Sequence, residues 1–202
     1  WYGDKNMKNS EKIILKMKKN NGVITYNDIK KMEIDKKVIA RLLADKQIER
    51  VEKGIYILPE TMGDEYFNKI YGKNAIYSHM TTLYFHNLCN RVPMIYDITV
   101  TKKYYGVLDK DKKVLLHKVD KEILDLGRIK IKSPQGQYID VYDIERCLCD
   151  CLKDKDMIAS EYIKEAFNIY FKDMKKDTFK IMKYAKKLGI EKEMHDYLEV
   201  LL

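Results

Sequence analysis

The segment YSHMTTLYFHNL, Tyr77 to Leu88, sets Ser78 beside His79 and brings a second imidazole at His86. Two histidines on one helix face suggest a metal site, and a serine beside a histidine suggests nucleophilic chemistry. Both readings meet a geometric obstacle. Seven residues along an α-helix separate the Cα atoms by about 10 Å, too far for two imidazoles that must each reach one zinc at about 2 Å. A serine nucleophile needs a base that a third group orients, and adjacency supplies no third group. Ser78 is therefore expected to cap a helix whose Met80, Leu83, Tyr84 and Leu88 form its buried stripe.

The other candidate clusters weaken in the same way. In IERCLCDCLKDK, Cys147 and Cys151 stand one helical turn apart and should point inward, with Cys149 facing elsewhere. No second Cys or His cluster accompanies them, so core thiols are expected rather than a metal centre. Glu145, Arg146 and Asp150 could form a local ion-pair set on the same helix. The run DKDKK, Asp109 to Lys113, alternates carboxylate with lysine and fits a solvated turn better than a magnesium site. The chain has neither a glycine-rich phosphate cradle nor a serine-anchored Asp-x-Asp arrangement. No catalysis, cofactor or metal is expected.

What remains is cationic. DKKVIARLLADKQIERVEKGIYILPE, Asp35 to Glu60, carries Lys36, Lys37 and Arg41 on a helix that Asp35 should cap, then Arg50 and Lys53 on a hairpin. At 100° per residue Val38, Ile39, Leu42 and Leu43 cover one side, and Lys37, Ala40, Arg41 and Ala44 the other. Arginine and lysine can bridge to phosphates or reach a guanine edge, and alanines between them let a helix approach a groove floor. Thr25 and Tyr26, at the start of the preceding helix, are placed to meet phosphate. Net charge is +8, with residues 1–60 holding 14 Lys plus Arg against 9 Asp plus Glu. The cationic excess is densest where these residues lie, which points to a polyanionic partner.

The elements that must position them follow from periodicity. NSEKIILKMKKNNG should form a first helix with Ile13, Ile14 and Met17 on one face, Asn9 or Ser10 as cap and Gly22 as stop. Val23 and Ile24 give a short extended entry. Thr25 with Asp28 then has capping-box spacing, with Asp in place of Glu, and opens a short second helix. After the Asp35 helix come two strands, Ile48 to Val51 and Ile55 to Leu58, joined through Glu52, Lys53 and Gly54. Three helices and a hairpin are the plan of a winged helix-turn-helix, with the Asp35 helix in the major groove and the hairpin as wing.

Further along, MIYDITVT, KVLLHKV, RIKIK and QYIDVYD are rich in β-formers, with Ser133 to Gly136 as the turn of a hairpin, and a small mixed or antiparallel sheet should result. From Ser160 three helical segments break near Asp173 and Gly189. The segment Lys172 to Gly189 has seven lysines against two aspartates, with Met174, Thr178, Ile181, Ala185 and Leu188 as its apolar stripe. The expected fold class is α+β: an N-terminal winged helix-turn-helix at 7–60 and a C-terminal mixed α/β domain at 64–202 ending in helices. Met7 is a candidate start. No apolar run approaches the roughly twenty residues that span a bilayer, and the cysteines lack a secreted framework, so a cytoplasmic protein with no membrane partner is expected.

IERVEKGIYILPE, YSHMTTLYFHNL and YDIERCLCDCL together resemble the AbiEi family, antitoxins of bacterial abortive-infection systems. The resemblance runs from about Ser10 to about Asp156. It implies a winged-helix domain that represses its own operon by binding double-stranded operator DNA, and a C-terminal domain that counters a nucleotidyltransferase toxin. Competing readings are a stand-alone regulator whose second domain senses a ligand or dimerises, and a winged helix that docks protein alone.

Overall fold

Apolar residues one turn apart, Ile13 and Met17, seat the first helix against the core of an N-terminal unit. The computed structural model describes residues 7–173 and 176–201. They divide into two compact units, one formed by residues up to Tyr71 together with Lys132–Tyr138, the other by Gly72–Ile131 and Ile139 onward. The first therefore takes in a helix beyond residue 64 and a distant turn, both of which sequence reasoning gives to the second domain.

In the first unit, α1 (Asn9–Lys19) has Lys8 as its N-cap. The expected cap at Asn9 or Ser10 is displaced because the Glu11 carboxylate accepts the Lys8 N–H at 3.1 Å, answering one of the open donors of the first turn. The chain then forms β1 (Val23–Thr25), α2 (Tyr26–Lys31), α3 (Lys36–Ala44), β2 (Glu49–Glu52), β3 (Ile55–Ile57) and α4 (Glu65–Ile70). The extended entry is a full strand: β1 and β2 both pair antiparallel with the central β3. Ile13, Met17, Ile24, Ile29, Ile39, Leu42 and Ile48 close one apolar cluster under the three helices. Asp64 caps α4 by accepting the Phe67 N–H at 2.9 Å, and its second oxygen accepts from the Ser133 hydroxyl and, at 3.3 Å, the Gln137 N–H. Gln137 Nε2 donates to the Asn20 carbonyl at 2.9 Å, and Asn21 Nδ2 to that of Gly136 at 3.2 Å.

The second unit contains β4 (Ile76–Tyr77), α5 (His79–Phe85), β5 (Tyr96–Thr101), β6 (Val114–Val119), α6 (Lys121–Leu124), all but the last residue of β7 (Arg128–Lys132), all but the first of β8 (Tyr138–Tyr142), α7 (Ile144–Lys153), α8 (Ser160–Asp173), α9 (Thr178–Leu188) and α10 (Glu191–Leu201). Its five-stranded sheet has order β6-β5-β4-β8-β7 and is mixed: β4 runs antiparallel to β5 and parallel to β8, while β5 and β6 are parallel. A parallel pair needs a long crossover, and residues 102–113 supply it. Helices α5 and α7–α10 share one apolar cluster, with Leu83, Leu148, Phe167, Ile181, Leu188 and Met194 among its buried members. Met174, placed on the basic helix's apolar stripe, lies outside the described residues. No described helix is long and apolar enough to cross a membrane.

Helix α7 is buried on nearly all sides, so Cys149 is as enclosed as Cys147 and Cys151. The expectation that Cys149 faces away fails because α9 covers that side, and its thiol donates to the Ile181 carbonyl at 3.5 Å. Burial pushes the Cys147 thiol well above its ordinary pKa, the state of an inert core sulfur. Arg146, fully buried, donates through Nε to Asp150 at 2.9 Å and through Nη1 to the carbonyls of Ile123 and Leu126, each at 2.9 Å. Its guanidinium lies 4.2 Å over the Tyr142 ring. Glu145 instead receives the Tyr170 hydroxyl and the Lys180 ammonium, each at 2.9 Å. The charged residues of this motif are thus tied into the helical core.

Candidate nucleic-acid interface

The cationic residues of the first unit fall on an exposed face because the apolar ones are taken up beneath it. In α3, Ile39 and Leu42 are buried and Val38 and Leu43 half-buried, whereas Lys36, Lys37, Ala40, Arg41 and Ala44 are exposed, as the 100° periodicity predicts. Asp35 caps the helix, accepting the Lys37 N–H at 2.8 Å. Lys36 and Lys37 occupy the first two helical positions, where the helix dipole is positive and a cation costs about 0.3–1 kcal/mol. Among the described residues Lys36 gains only its place over the Tyr26 ring, and no described side-chain partner offsets the cost for Lys37. An approaching phosphate would reverse its sign, because helix amides and lysines then face one anion together.

Helix α2 is locked by reciprocal bonds. Thr25 Oγ1 accepts the Asp28 N–H at 3.2 Å and donates to Asp28 Oδ2 at 2.5 Å, and Asp28 Oδ2 accepts the Thr25 N–H at 3.1 Å. Thr25 is only 7% exposed, so its hydroxyl serves the cap and is not presented to a ligand. Its neighbour Tyr26 is half-buried, donates its N–H to the Gly54 carbonyl at 2.8 Å and lies under the Lys36 ammonium, 5.5 Å from the ring centroid. The structure therefore brings together the start of α2, the start of α3 and the Lys53-Gly54 turn. Gly54 has φ +82, a left-handed conformation that suits glycine at a hairpin tip.

Every residue of β2 is exposed, on an edge strand. Arg50 lies opposite Tyr56, with the register shifting between Arg50 and Glu52, and Arg50 Nε donates to the Glu52 carbonyl at 3.3 Å. Charged side chains and a bulge blunt an edge against further strand pairing. Lys53 is exposed at the tip. Arg41 stands farther along α3, and no described contact joins it to the hairpin.

Residues 14–59 match a family model described as transcriptional regulator, AbiEi antitoxin. The match supports the AbiEi type. It runs from within α1 to just past β3 and so covers Thr25, Tyr26, Lys36, Lys37, Arg41, Arg50 and Lys53, and extends to nothing in the second unit. No curated protein matches the chain.

The second unit holds a group that sequence reasoning missed. His79 is separated from His86, whose Nε2–H donates to the Tyr142 carbonyl at 2.8 Å and whose pKa burial lowers. His79 stacks instead on His117, with ring centroids 3.6 Å apart and planes 16° from parallel. Ser78 starts α5 but makes no side-chain cap; its hydroxyl accepts from Thr99 Oγ1 at 2.9 Å and lies 2.9 Å from His79 Nδ1. Ligating atoms of His79, Asp97 and His117 fall within 4.8 Å of one another. One nitrogen of each stacked ring already meets the same Asp154 Oδ2, His79 Nε2 at 3.0 Å and His117 Nδ1 at 3.4 Å, so these atoms are engaged in carboxylate hydrogen bonding. The available signal was a charged residue inside each of two apolar strands, Asp97 in MIYDITVT and His117 in KVLLHKV.

Proposed function

We propose that the first unit is a winged helix-turn-helix that binds double-stranded operator DNA and represses its own operon, and that the chain acts as antitoxin to a nucleotidyltransferase toxin. The observation that carries the DNA reading is the exposed Lys36-Lys37-Ala40-Arg41 face on a helix whose apolar side is sequestered, flanked by the Lys53 turn and Arg50. In this reading α3 enters the major groove, Arg41 reads a base edge, Lys36, Lys37 and Tyr26 meet phosphates near two helix starts, and Arg50 and Lys53 follow the backbone as a wing. Thr25 contributes by fixing α2. The toxin reading rests on the AbiEi-type match and on the resemblance of the two later motifs.

Fluorescence anisotropy of the full chain on DNA from upstream of its own gene tests the first half. Arg41→Ala should weaken operator binding by about 1–3 kcal/mol and relax its sequence preference. Unchanged affinity and preference would remove α3 from the groove. Co-expression with a neighbouring nucleotidyltransferase gene tests the second half: the reading requires that the full chain restore growth.

A further inference from the structure

A cavity of about 360 Å³ opens in the second unit. Met80, Met94, Leu115, Met157, Ile158 and Tyr162 contribute its walls, Arg91 stands exposed at its edge, and Asp97 and His117, only 7% and 9% exposed, form its polar floor. The floor is part of a built network. His117 Nε2 lies 2.9 Å from Asp97 Oδ1 and His117 Nδ1 3.4 Å from Asp154 Oδ2, which also meets His79 Nε2 at 3.0 Å. The Asp97 N–H is held by Thr81 Oγ1 at 2.8 Å, and Ser78 N–H donates to the Asp97 carbonyl at 3.0 Å. Burial opposes a charge on His117, yet the bonds to Asp154 and Asp97 outweigh it and raise its pKa to about 9.

Buried ion pairs are often replaceable by apolar residues of similar volume without loss of stability. His79 adds a second sign, since at φ +45 it occupies the left-handed region that non-glycine residues avoid, and such strain collects at functional sites. The volume falls in the range of small-molecule sites, which pair apolar walls with a few convergent polar groups.

We propose that this cavity binds a small aromatic ligand with N–H donors, on the ring or on an amino group attached to it, at one end and an anionic group at the other, the chemistry of a nucleoside monophosphate. Asp97 commits Oδ1 to His117, and among the described residues no hydrogen bond engages Oδ2, which can accept from a ring N–H or an exocyclic amino group. Three methionines and the Tyr162 ring suit a flat aromatic body, because thioethers adapt to it and contact ring edges favourably. Arg91 spends Nη1 on the Tyr162 hydroxyl at 2.8 Å and keeps further guanidinium donors at the mouth for a phosphate. Exposed Val92, Met94, Ile95 and Met157 could instead serve a docked protein, but a flat apolar contact has no use for a recessed carboxylate and imidazolium.

Isothermal titration of the full chain with AMP, GMP, CMP and UMP in turn decides the matter. At least one should bind with Kd below about 1 mM, and its nucleoside, lacking phosphate, should bind at least about tenfold more weakly. Arg91→Ala should cost the nucleotide about tenfold. Leu115→Trp, at a half-exposed wall position, should abolish binding while leaving the melting temperature and circular dichroism unchanged. Binding that survives both substitutions lies elsewhere, on the basic helix for example, and overturns the proposal. So does an absence of heat with all four nucleotides, the outcome expected if the apolar rim docks a protein. DNA binding by the first unit is read separately through Arg41, so either reading can fail alone.

Discussion

Raising the pH should strip the second unit of a stabilising charge, and the size of the effect follows from the surroundings of His117. Asp97 on β5 and Asp154 after α7 face its two ring nitrogens, with His79 stacked alongside. Against the opposing effect of burial, those bonds lift the His117 pKa from 6.5 to about 9. A group with a raised folded pKa stabilises fully below its unfolded value and loses the contribution as pH rises through the folded one. The difference between 6.5 and 9 corresponds to about 3 kcal/mol, or roughly 6–12 °C in Tm for a chain of this length. On the acid side Asp154, held well below the usual carboxylate range chiefly by hydrogen bonds from His117 and His79, contributes above about 3.8 and less as pH falls toward its folded value. Melts of the native chain and of His117→Gln from pH 6 to 9.5, at constant ionic strength, measure the effect by difference. The native advantage should be largest near pH 6 and should close by pH 9.5. A gap independent of pH would refute the reasoning, because it would mean that His117 does not carry its charge in the fold.

Three other outcomes are expected. Arg146→Ala should destabilise by about 3–5 kcal/mol in urea unfolding, since it strands the buried Asp150 carboxylate and the carbonyls of Ile123 and Leu126. Thr25→Ala should cost about 1 kcal/mol by removing the α2 cap, with lost DNA affinity tracking lost stability. Lys53→Ala should weaken binding to all DNA sequences alike and reduce the slope of log affinity against log salt by about one, as expected of a phosphate contact.

The first unit was legible because its signals are local. The Thr25–Asp28 box and the Asp35 cap lie within four residues of the groups they answer, and the two faces of α3 are set by a single helical period. The strand formed by Val23–Thr25 was less legible, because its β3 partner lies about thirty residues on and three residues carry little pattern of their own. In the second unit the histidines mark the limit. His79 and His86 share a sequence motif, so helical spacing was the natural test, and the two rings do take different partners, His117 and the Tyr142 carbonyl. The pairing with His117 depends on the parallel register of β5 with β6 and the antiparallel register of β4 with β5, which no spacing along the chain expresses. Cys149 was misplaced for a related reason: an amphipathic pattern tells which side of a helix packs first, not whether another helix will cover the opposite side.

The Lys132–Tyr138 turn gives the first unit a timetable. Asp64, Asn20 and Asn21 meet their partners only when Ser133, Gly136 and Gln137 have been made, after sixty residues that belong to the other unit. At about 5–20 residues per second, translation delivers that turn roughly 3–12 s after Tyr71. A ribosome that stops early thus releases a unit still missing one edge of its polar contacts, and gene fragments cut near residue 71 carry the same gap permanently.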